Sequence, residues 1–352
     1  MQVVVIPGRG SYDKLEVHER PSPALGSGQV RIEVEGVGVN YADCVVRMGL
    51  YKSAKEFVGW PITPGFEVSG VVTEVADNVT DLAVGDEVVA VTLFGGYTSE
   101  LCVPRGQVFA RPKGFDAAAS AGFCAVHLTA DYAVSELSGV GPGDPVLIHS
   151  AAGGVGTVLV QLARHRGCKV VGVVGASHKV DVVRSLGADA VIDKSREDLW
   201  VAARAHAPQG YKAVFDANGV ATLGQSYAHT APTGRVVIYG FATMLPRAGQ
   251  RMNYLKLAWD WLRTPRFNPL ELTSLNRSVM GFNLSYMFGQ RALLERSMAR
   301  LLALADADVL RPASVRTYRL SDVGKAHYDL ETGQTVGKLV LVPDARYEPT
   351  PA

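Results

Sequence analysis

Residues 146–156 read VLIHSAAGGVG, an apolar run that breaks into small residues with glycines at 153, 154 and 156. Ala151, Gly153 and Gly156 have the spacing A-x-G-x-x-G, and TVLVQLARHRG follows. Val155, Val158, Leu159 and Leu162 recur there at helical intervals, and Gly167 offers a stop. A strand that enters a helix through such a turn can cradle a phosphate. Small side chains let the backbone approach, and the first N–H groups and positive dipole end of the helix favour an anion. Ala152, Gly153, Gly154 and Val155 are the residues expected to face a pyrophosphate. The bland alternative is a tight turn that binds nothing.

The next strand-like run decides which dinucleotide is expected. A site for NAD places an acid about 20 residues on, where it accepts from the ribose 2′-OH. Here the run ends in VVGASHK, with no acid before Asp181. Gly175 leaves room, Ser177 offers a hydroxyl and Lys179 a positive charge, and Lys194 after the third run adds another. A 2′-phosphate finds charge-assisted partners in such a set. NADPH is therefore the expected cofactor; the alternative is that Lys179 is a solvated side chain in the first turn of a helix.

These pieces need a scaffold. From about residue 125, the apolar runs VLIH, KVVGVVG, AVI, AVFDA, RVVIYG and SVMGFNL alternate with helical patterns. Runs apolar on both faces suit parallel strands covered by helices, so the expectation is a doubly wound parallel sheet. Residues before this read as β-rich: QVRIEVEGVGV and GVVTEVADNV alternate in and out, with turns such as PALGSGQ between strands. RALLERSMARLLALADA is expected to be helical, KLVLVP to be a last strand, and the tail DARYEPTPA to fray.

Composition sets bounds. The chain has 352 residues, 47% hydrophobic and 20% charged, which suits two folded domains. A net charge of +1 gives no electrostatic footprint for nucleic acid. Cys44, Cys102, Cys124 and Cys168 contain no C-x-x-C pair, so neither a zinc ribbon nor a dense disulfide framework is expected, and a reducing cytoplasm is. No secretory leader and no stretch of about 18 apolar residues is read.

In order along the chain, GVNYAD, GLY, PGFEVSGVV, GDEV, GGYTSE, HSAAGGVG, GADAVID, YGF and VGKLVLV resemble the medium-chain dehydrogenase/reductase superfamily. Within it the chain is similar to the zinc-independent quinone oxidoreductase (zeta-crystallin-like) branch. The segment LKLAWDWLRTPRFNPLELTSLNRSVMGFNLSY is similar to that of the synaptic-vesicle membrane-transport protein group. The resemblance implies an α/β protein: a GroES-like β-rich catalytic domain over 1–124, completed by 287–352, and a Rossmann NADPH-binding domain over 125–286, with the active-site cleft between them. A homodimer is implied as well. Zinc-dependent members carry a cysteine where Asn40 stands and Gly-His-Glu where Gly65-Phe66-Glu67 stands. Cys124 lies near the region of their third ligand, but a phenylalanine cannot ligate and one thiol does not hold zinc, so no metal site is expected.

Without a Lewis acid to stabilise an alkoxide, the expected reaction is NADPH-dependent hydride transfer to a quinone or an α,β-unsaturated carbonyl, as in enoyl reductases. Hydrogen-bond donors then meet the charge on oxygen, and an acid or water delivers the proton. By resemblance Tyr51 is the candidate proton donor, Tyr41 lines the cleft, Asn40 bonds the nicotinamide ribose or substrate oxygen, and Asp43 orients the loop. Thr129, Asn218, Tyr239, Gly240, Phe282 and Lys338 are placed at the cofactor's edge in the same way. His127, His149 and His229 have no spaced partner and read as structural. In NYLKLAWDWLRTPRF, Tyr254, Leu257, Ala258, Trp261 and Leu262 share a helical face. A cover over the cleft or a subunit contact is the favoured use of residues 253–267, and membrane-surface contact the lesser one. The rival function is a cofactor-binding, membrane- or vesicle-associated protein with little turnover.

Overall fold

The computed structural model describes residues 1–312 and 314–348. They divide into two compact units, Met1–Leu128 with Leu284–Ala352, and Thr129–Asn283.

In the second unit the six apolar runs all become strands of one sheet: Pro145–Ile148, Lys169–Val174, Ala190–Asp193, Tyr211–Asp216, Thr230–Ile238 and Ser278–Gly281. Every pairing is parallel, and numbered along the chain the strands lie in the order 3-2-1-4-5-6. The order reverses beside the first strand, which is where doubly wound sheets hold ligands, outside the carboxyl ends. Leu147, Val171, Val173, Ile192, Val214 and Val236 are buried in a core beneath the covering helices. That is why these strands read as continuous rather than alternating apolar runs.

The glycine turn joins the first strand to a helix over Gly154–His165, with Gly167 just beyond it at φ +77°. Gly156 is where the turn is tightest: a Cβ there would lie 2.2 Å from the Ser150 carbonyl oxygen and 2.8 Å from the Ala151 Cα. Only glycine lets the helix start so close under the strand end.

The first unit is built on a seven-stranded sheet. Gln29–Val39 and Glu67–Val75 form its centre, antiparallel, with Val30↔Val75 and Val37↔Val68 in register. Glu87–Val91 and Val108–Ala110 extend one side. Lys338–Val342 and Val315–Arg319 extend the other, and Glu100–Pro104 pairs with Gln29–Val39. The helix Val323–Glu331 crosses between the last two parallel strands. The expected helix appears as Arg291–Asp306, burying Leu294, Met298, Leu301 and Ala305. The tail departs from expectation. Asp344–Arg346 form a short turn, the Asp344 N–H donates to Gln2 Oε1 at 3.0 Å, and Arg346 pairs with Glu33 at 2.8 Å. Two long-range polar anchors hold this part in place; residues 349–352 of the same segment lie outside the described residues.

The three histidines singled out in the sequence are buried. His127 Nδ1 donates to the Phe123 carbonyl at 2.7 Å, and its ring stacks on Phe123 at 4.0 Å. His149 Nε2 lies 3.0 Å from Ser226 Oγ, and His229 Nδ1 donates to the Gln225 carbonyl at 2.8 Å. Burial pushes His127 and His327 down to about 3. Between that value and about 6.5, where an unfolded histidine titrates, each of these two histidines binds a proton in the unfolded chain but not in the folded one. Their contribution to stability therefore rises with pH across this window and is lost as pH falls through it. His127→Phe is expected to flatten the fall in melting temperature between pH 6.5 and 4.5, measured by scanning fluorimetry; an unchanged slope would show that His127 is not among the groups responsible.

Candidate functional site

In the second unit the expected cofactor residues, Thr129 apart, follow the carboxyl ends of the strands. Ala152, Gly153, Gly154 and Val155 form the turn and first residues of the helix, whose start no side chain caps. Its leading N–H groups have no intrahelical acceptors and point along a positive dipole end. Beside it, past the end of the fourth strand, Ser150 Oγ lies 3.2 Å from Asn218 Oδ1, which places Asn218 at the point where the strand order reverses. Asn218 is buried, and its N–H donates to Asp216 Oδ1 at 2.8 Å. Tyr239 and Gly240 follow the fifth strand, and burial pushes the Tyr239 phenol up. Phe282 follows the sixth and packs edge-on against Tyr132 at 4.9 Å. Thr129 lies in the helix Cys124–Asp131.

At the ends of the second and third strands lies a polar cluster. Gly175 is exposed, and a Cβ on it would sit 3.5 Å from the Lys194 Cε. Lys179 closes a short turn, Ser177–Lys179, and is buried rather than solvated. Burial and the nearby Lys194 charge push its amine down. Ser177 Oγ donates to Asp193 Oδ2 at 2.6 Å and accepts from Arg196 Nε at 2.9 Å. Its proton is thus committed to Asp193, and it acts as a spacer between Asp193 and Arg196. Arg196 escaped the sequence reading. Its signal was there: a third basic residue two positions after Lys194, at the carboxyl end of the third strand.

In the first unit Asn40 begins the helix Tyr41–Arg47 and, with Asp43, makes a reciprocal cap. Asp43 Oδ2 accepts from the Asn40 N–H at 2.8 Å and Oδ1 from the Gly65 N–H at 2.8 Å. Burial pushes the Asp43 carboxyl up to about 7, against the pull of these two donors and Lys338. The Asn40 amide is engaged at both ends: Nδ2 donates to Glu67 Oε1 at 2.9 Å and to the Gly38 carbonyl at 3.3 Å, and Oδ1 accepts from Lys338 Nζ at 2.7 Å. Lys338 Nζ also meets Glu67 Oε1 at 2.7 Å, and Glu67 Oε2 accepts from the Ala125 N–H at 2.7 Å. The structure thus brings Asn40, Asp43 and Lys338 together around Glu67. That carboxylate was visible in PGFEVSGVV, but nothing local to it named its partners.

Tyr51 and Tyr41 have different surroundings. The Tyr51 ring meets Phe66 at 5.8 Å and Phe94 at 6.3 Å, and its hydroxyl lies 3.0 Å from Ser285 Oγ. Phe66 and Phe94 also touch each other, at 5.1 Å. Tyr41 is raised by burial, and the groups acting on it are Cys44, Glu331, Tyr12 and Arg47. It therefore belongs electrostatically with a second polar cluster. There Glu331 is paired with Arg47 and accepts from the Tyr12 hydroxyl at 2.5 Å, while His327 Nε2 lies 3.0 Å from the Tyr97 hydroxyl. Among the described residues, Cys44, His327 and Glu331 are also the one trio of possible ligands within reach of a shared ion. The Arg47 guanidinium already supplies the cation that Glu331 needs, and burial pushes the Cys44 thiol up, away from the thiolate a metal requires.

Residues 26–138 match the model of the alcohol dehydrogenase GroES-like domain, and residues 154–298 that of the zinc-binding dehydrogenase. Over 351 residues the chain is 33% identical to the human synaptic vesicle membrane protein VAT-1 homolog, spanning 99% of this chain and 88% of that relative. It is 30% identical over 350 residues to a 2-haloacrylate reductase from a Burkholderia species, spanning 98% and 100% of the two chains. A solved mycobacterial protein complexed with NADPH matches with a TM-score of 0.83 at 28% identity, over 97% of this chain and 100% of that one. A Pseudomonas syringae quinone oxidoreductase matches at 0.82 and 27%, over 97% and 99%. With Asn40 and Phe66 at the positions where metal-dependent members hold zinc, the chain belongs to the medium-chain dehydrogenase/reductase superfamily, among its zinc-independent, quinone oxidoreductase-like members.

Proposed function

We propose that this chain uses NADPH to reduce a quinone or an α,β-unsaturated carbonyl, without a metal. The observation that carries the cofactor assignment is the buried Lys179 crowded by Lys194, with Arg196 two residues further on. Two neighbouring ammonium groups repel, and a dianionic phosphate between them would turn that repulsion into attraction. The NADPH complex of the mycobacterial relative supports the same choice.

When bound, the cofactor supplies a hydride. The chain's own residues supply the rest. The uncapped start of Gly154–His165 binds the pyrophosphate, while Lys179, Lys194 and Arg196 bind the 2′-phosphate. Asn40 and Asp43 fix the start of Tyr41–Arg47 and tie it to Gly65. The Tyr51 hydroxyl, 3.0 Å from Ser285 Oγ, is the group that delivers the proton to the reduced substrate, so the net change is one hydride and one proton added. Phe66, Phe94 and the Tyr51 ring make an apolar surface that suits a flat, uncharged acceptor. The reducing cytoplasm is part of this reading, since all four cysteines are free thiols.

Three outcomes test it. Arg196→Ala is expected to raise the KM for NADPH about tenfold, the scale of one charge-assisted bond, and to leave NADH unaffected; Lys179→Met acts in the same direction. A wild-type enzyme that prefers NADH would refute the assignment. Elemental analysis of purified protein should find far less than one zinc per chain, with NADPH oxidation unchanged by a chelator; stoichiometric zinc removed together with activity would overturn the metal-free reading. Tyr51→Phe should lower kcat on an enone about 100-fold, within the range of a lost general acid. The effect on a quinone should be smaller, because the hydroquinone anion is stabilised by its aromatic ring; equal turnover on the enone removes Tyr51 from proton transfer.

A further inference from the structure

We propose that the exposed ring pair of Phe57 and Tyr286 receives a hydrocarbon tail of the acceptor, so that the chain favours enones and quinones carrying an alkyl tail over bare ones. This rests on the reading that Tyr51 faces the acceptor. Two segments lead away from that tyrosine. Tyr51 immediately precedes the helix Lys52–Phe57, and its hydroxyl lies 3.0 Å from Ser285 Oγ in the turn Leu284–Tyr286. The two segments meet again further out, where the Phe57 and Tyr286 rings pack edge-on with centroids 5.6 Å apart. Six residues separate Tyr51 from Phe57, a helical rise of about 9 Å. The ring cluster of Tyr51, Phe66 and Phe94 therefore has a second ring pair one short helix away. Phe66 and Phe94 are buried, whereas Phe57 is 50% exposed, Tyr286 47% and the adjoining Val58 53%.

The pair is held in place before any ligand arrives. A tyrosine hydroxyl in water has no need of a protein partner, yet Tyr286 donates to Glu56 Oε2 at 2.6 Å, and Glu56 Oε1 meets Lys52 Nζ at 3.2 Å. The first bond fixes the ring across Phe57, so a ligand settling there has little side-chain freedom to remove. The bases of both segments are fixed too: Tyr51 and Leu284 pack against the core of the first unit, and Ser285 is buried. Single exposed apolar residues are ordinary, but three grouped beside a proton donor call for an occupant. Size and charge point to a tail. Two half-exposed rings and a valine offer on the order of 300 Å², against about 800 Å² that each side of a stable protein contact covers. Glu56 answers Lys52, so the charges tied to the pair cancel and leave its apolar faces to choose the ligand.

The test is NADPH oxidation by the full chain with methyl, propyl, pentyl and heptyl vinyl ketone. Each gains a hydride on its terminal alkene carbon and a proton, giving the ethyl ketone. The expected kcat/KM rises roughly twofold per added methylene, somewhat less than full burial of each would give, chiefly through KM. The measure is the ratio of kcat/KM for the pentyl over the methyl compound within each variant, which cancels any loss of folded enzyme. Phe57→Ser with Tyr286→Ser should bring that ratio to about one. Glu56→Ala should lower it, and Glu56→Gln, which still accepts from the Tyr286 hydroxyl, should restore it. A flat series in the wild type overturns the proposal, and so does a ratio that survives the double substitution, which would move tail recognition to Phe66 and Phe94. If no ketone is reduced, the catalytic reading falls by itself. Binding of ethyl pentyl ketone against ethyl methyl ketone, followed by saturation-transfer NMR, then judges the ring pair: a preference lost in the double variant upholds the tail site, and equal binding overturns it.

Discussion

The first unit depends on one buried ion pair, Lys338 with Glu67. Both side chains are buried, and neither could stay charged there alone. Glu67 begins one central strand, Lys338 begins the strand added from the far end of the chain, and Asn40 follows the other central strand. The Ala125 N–H completes the carboxylate's shell from the helix Cys124–Asp131. Four segments distant in sequence are thus held by four short bonds. Losing one partner of such a pair leaves an unpaired buried charge, at a cost of about 3–5 kcal/mol. The neighbouring backbone is shaped to admit it: a Cβ on Gly38 would lie 2.6 Å from Glu67 Oε1 and 2.5 Å from the Ala121 carbonyl.

This knot changes what Asn40 can do. An asparagine at a vacated ligand position invites the reading that its amide reaches for cofactor or substrate. Its oxygen and nitrogen meet Lys338 and Glu67. These bonds hold the loop, with Asp43 bridging to Gly65. Phe66, next to that glycine, turns the other former ligand position into part of an aromatic cluster with Phe94 and Tyr51. Polar cross-links and an apolar surface thus lie side by side on neighbouring residues of one strand entrance. That pairing suits an acceptor that needs orientation and desolvation more than electrostatic activation.

The six strands and the glycine turn of the second unit were legible because their signals are local: apolar runs of strand length and small residues between strand and helix. The cluster around Glu67 was legible only as separate letters, since Lys338 and Ala125 reach it through tertiary packing that no window of sequence contains. Lys179 shows the same limit. Its position marked it as a cation near a phosphate, but whether it lay in solvent or under the turn depended on how Ser177–Lys179 folds back. The helix Tyr254–Arg263 is the converse case. Its periodicity foretold a helix and an apolar face, and ordinarily such a face turns inward. Here Asp260, paired with Lys256, is the residue the helix buries, which pattern alone does not anticipate.

Asp193 puts a negative charge beside the proposed phosphate site, and its bonds show why it is tolerable. One carboxylate oxygen accepts from the Ser195 N–H and hydroxyl at 2.9 and 2.6 Å, the other from the Ser177 hydroxyl at 2.6 Å. These donors hold its carboxyl below the usual range, and the charge they stabilise is turned toward them. Ser177, its proton spent, offers a lone pair to Arg196 and so holds that guanidinium beside the end of the second strand. The acid thereby does work for the cations: it fixes the serine that positions the arginine. A carboxylate on the second strand would face the ribose directly and repel a 2′-phosphate. Moved to the third strand and satisfied by donors, the same charge helps to hold the arginine of the proposed phosphate site.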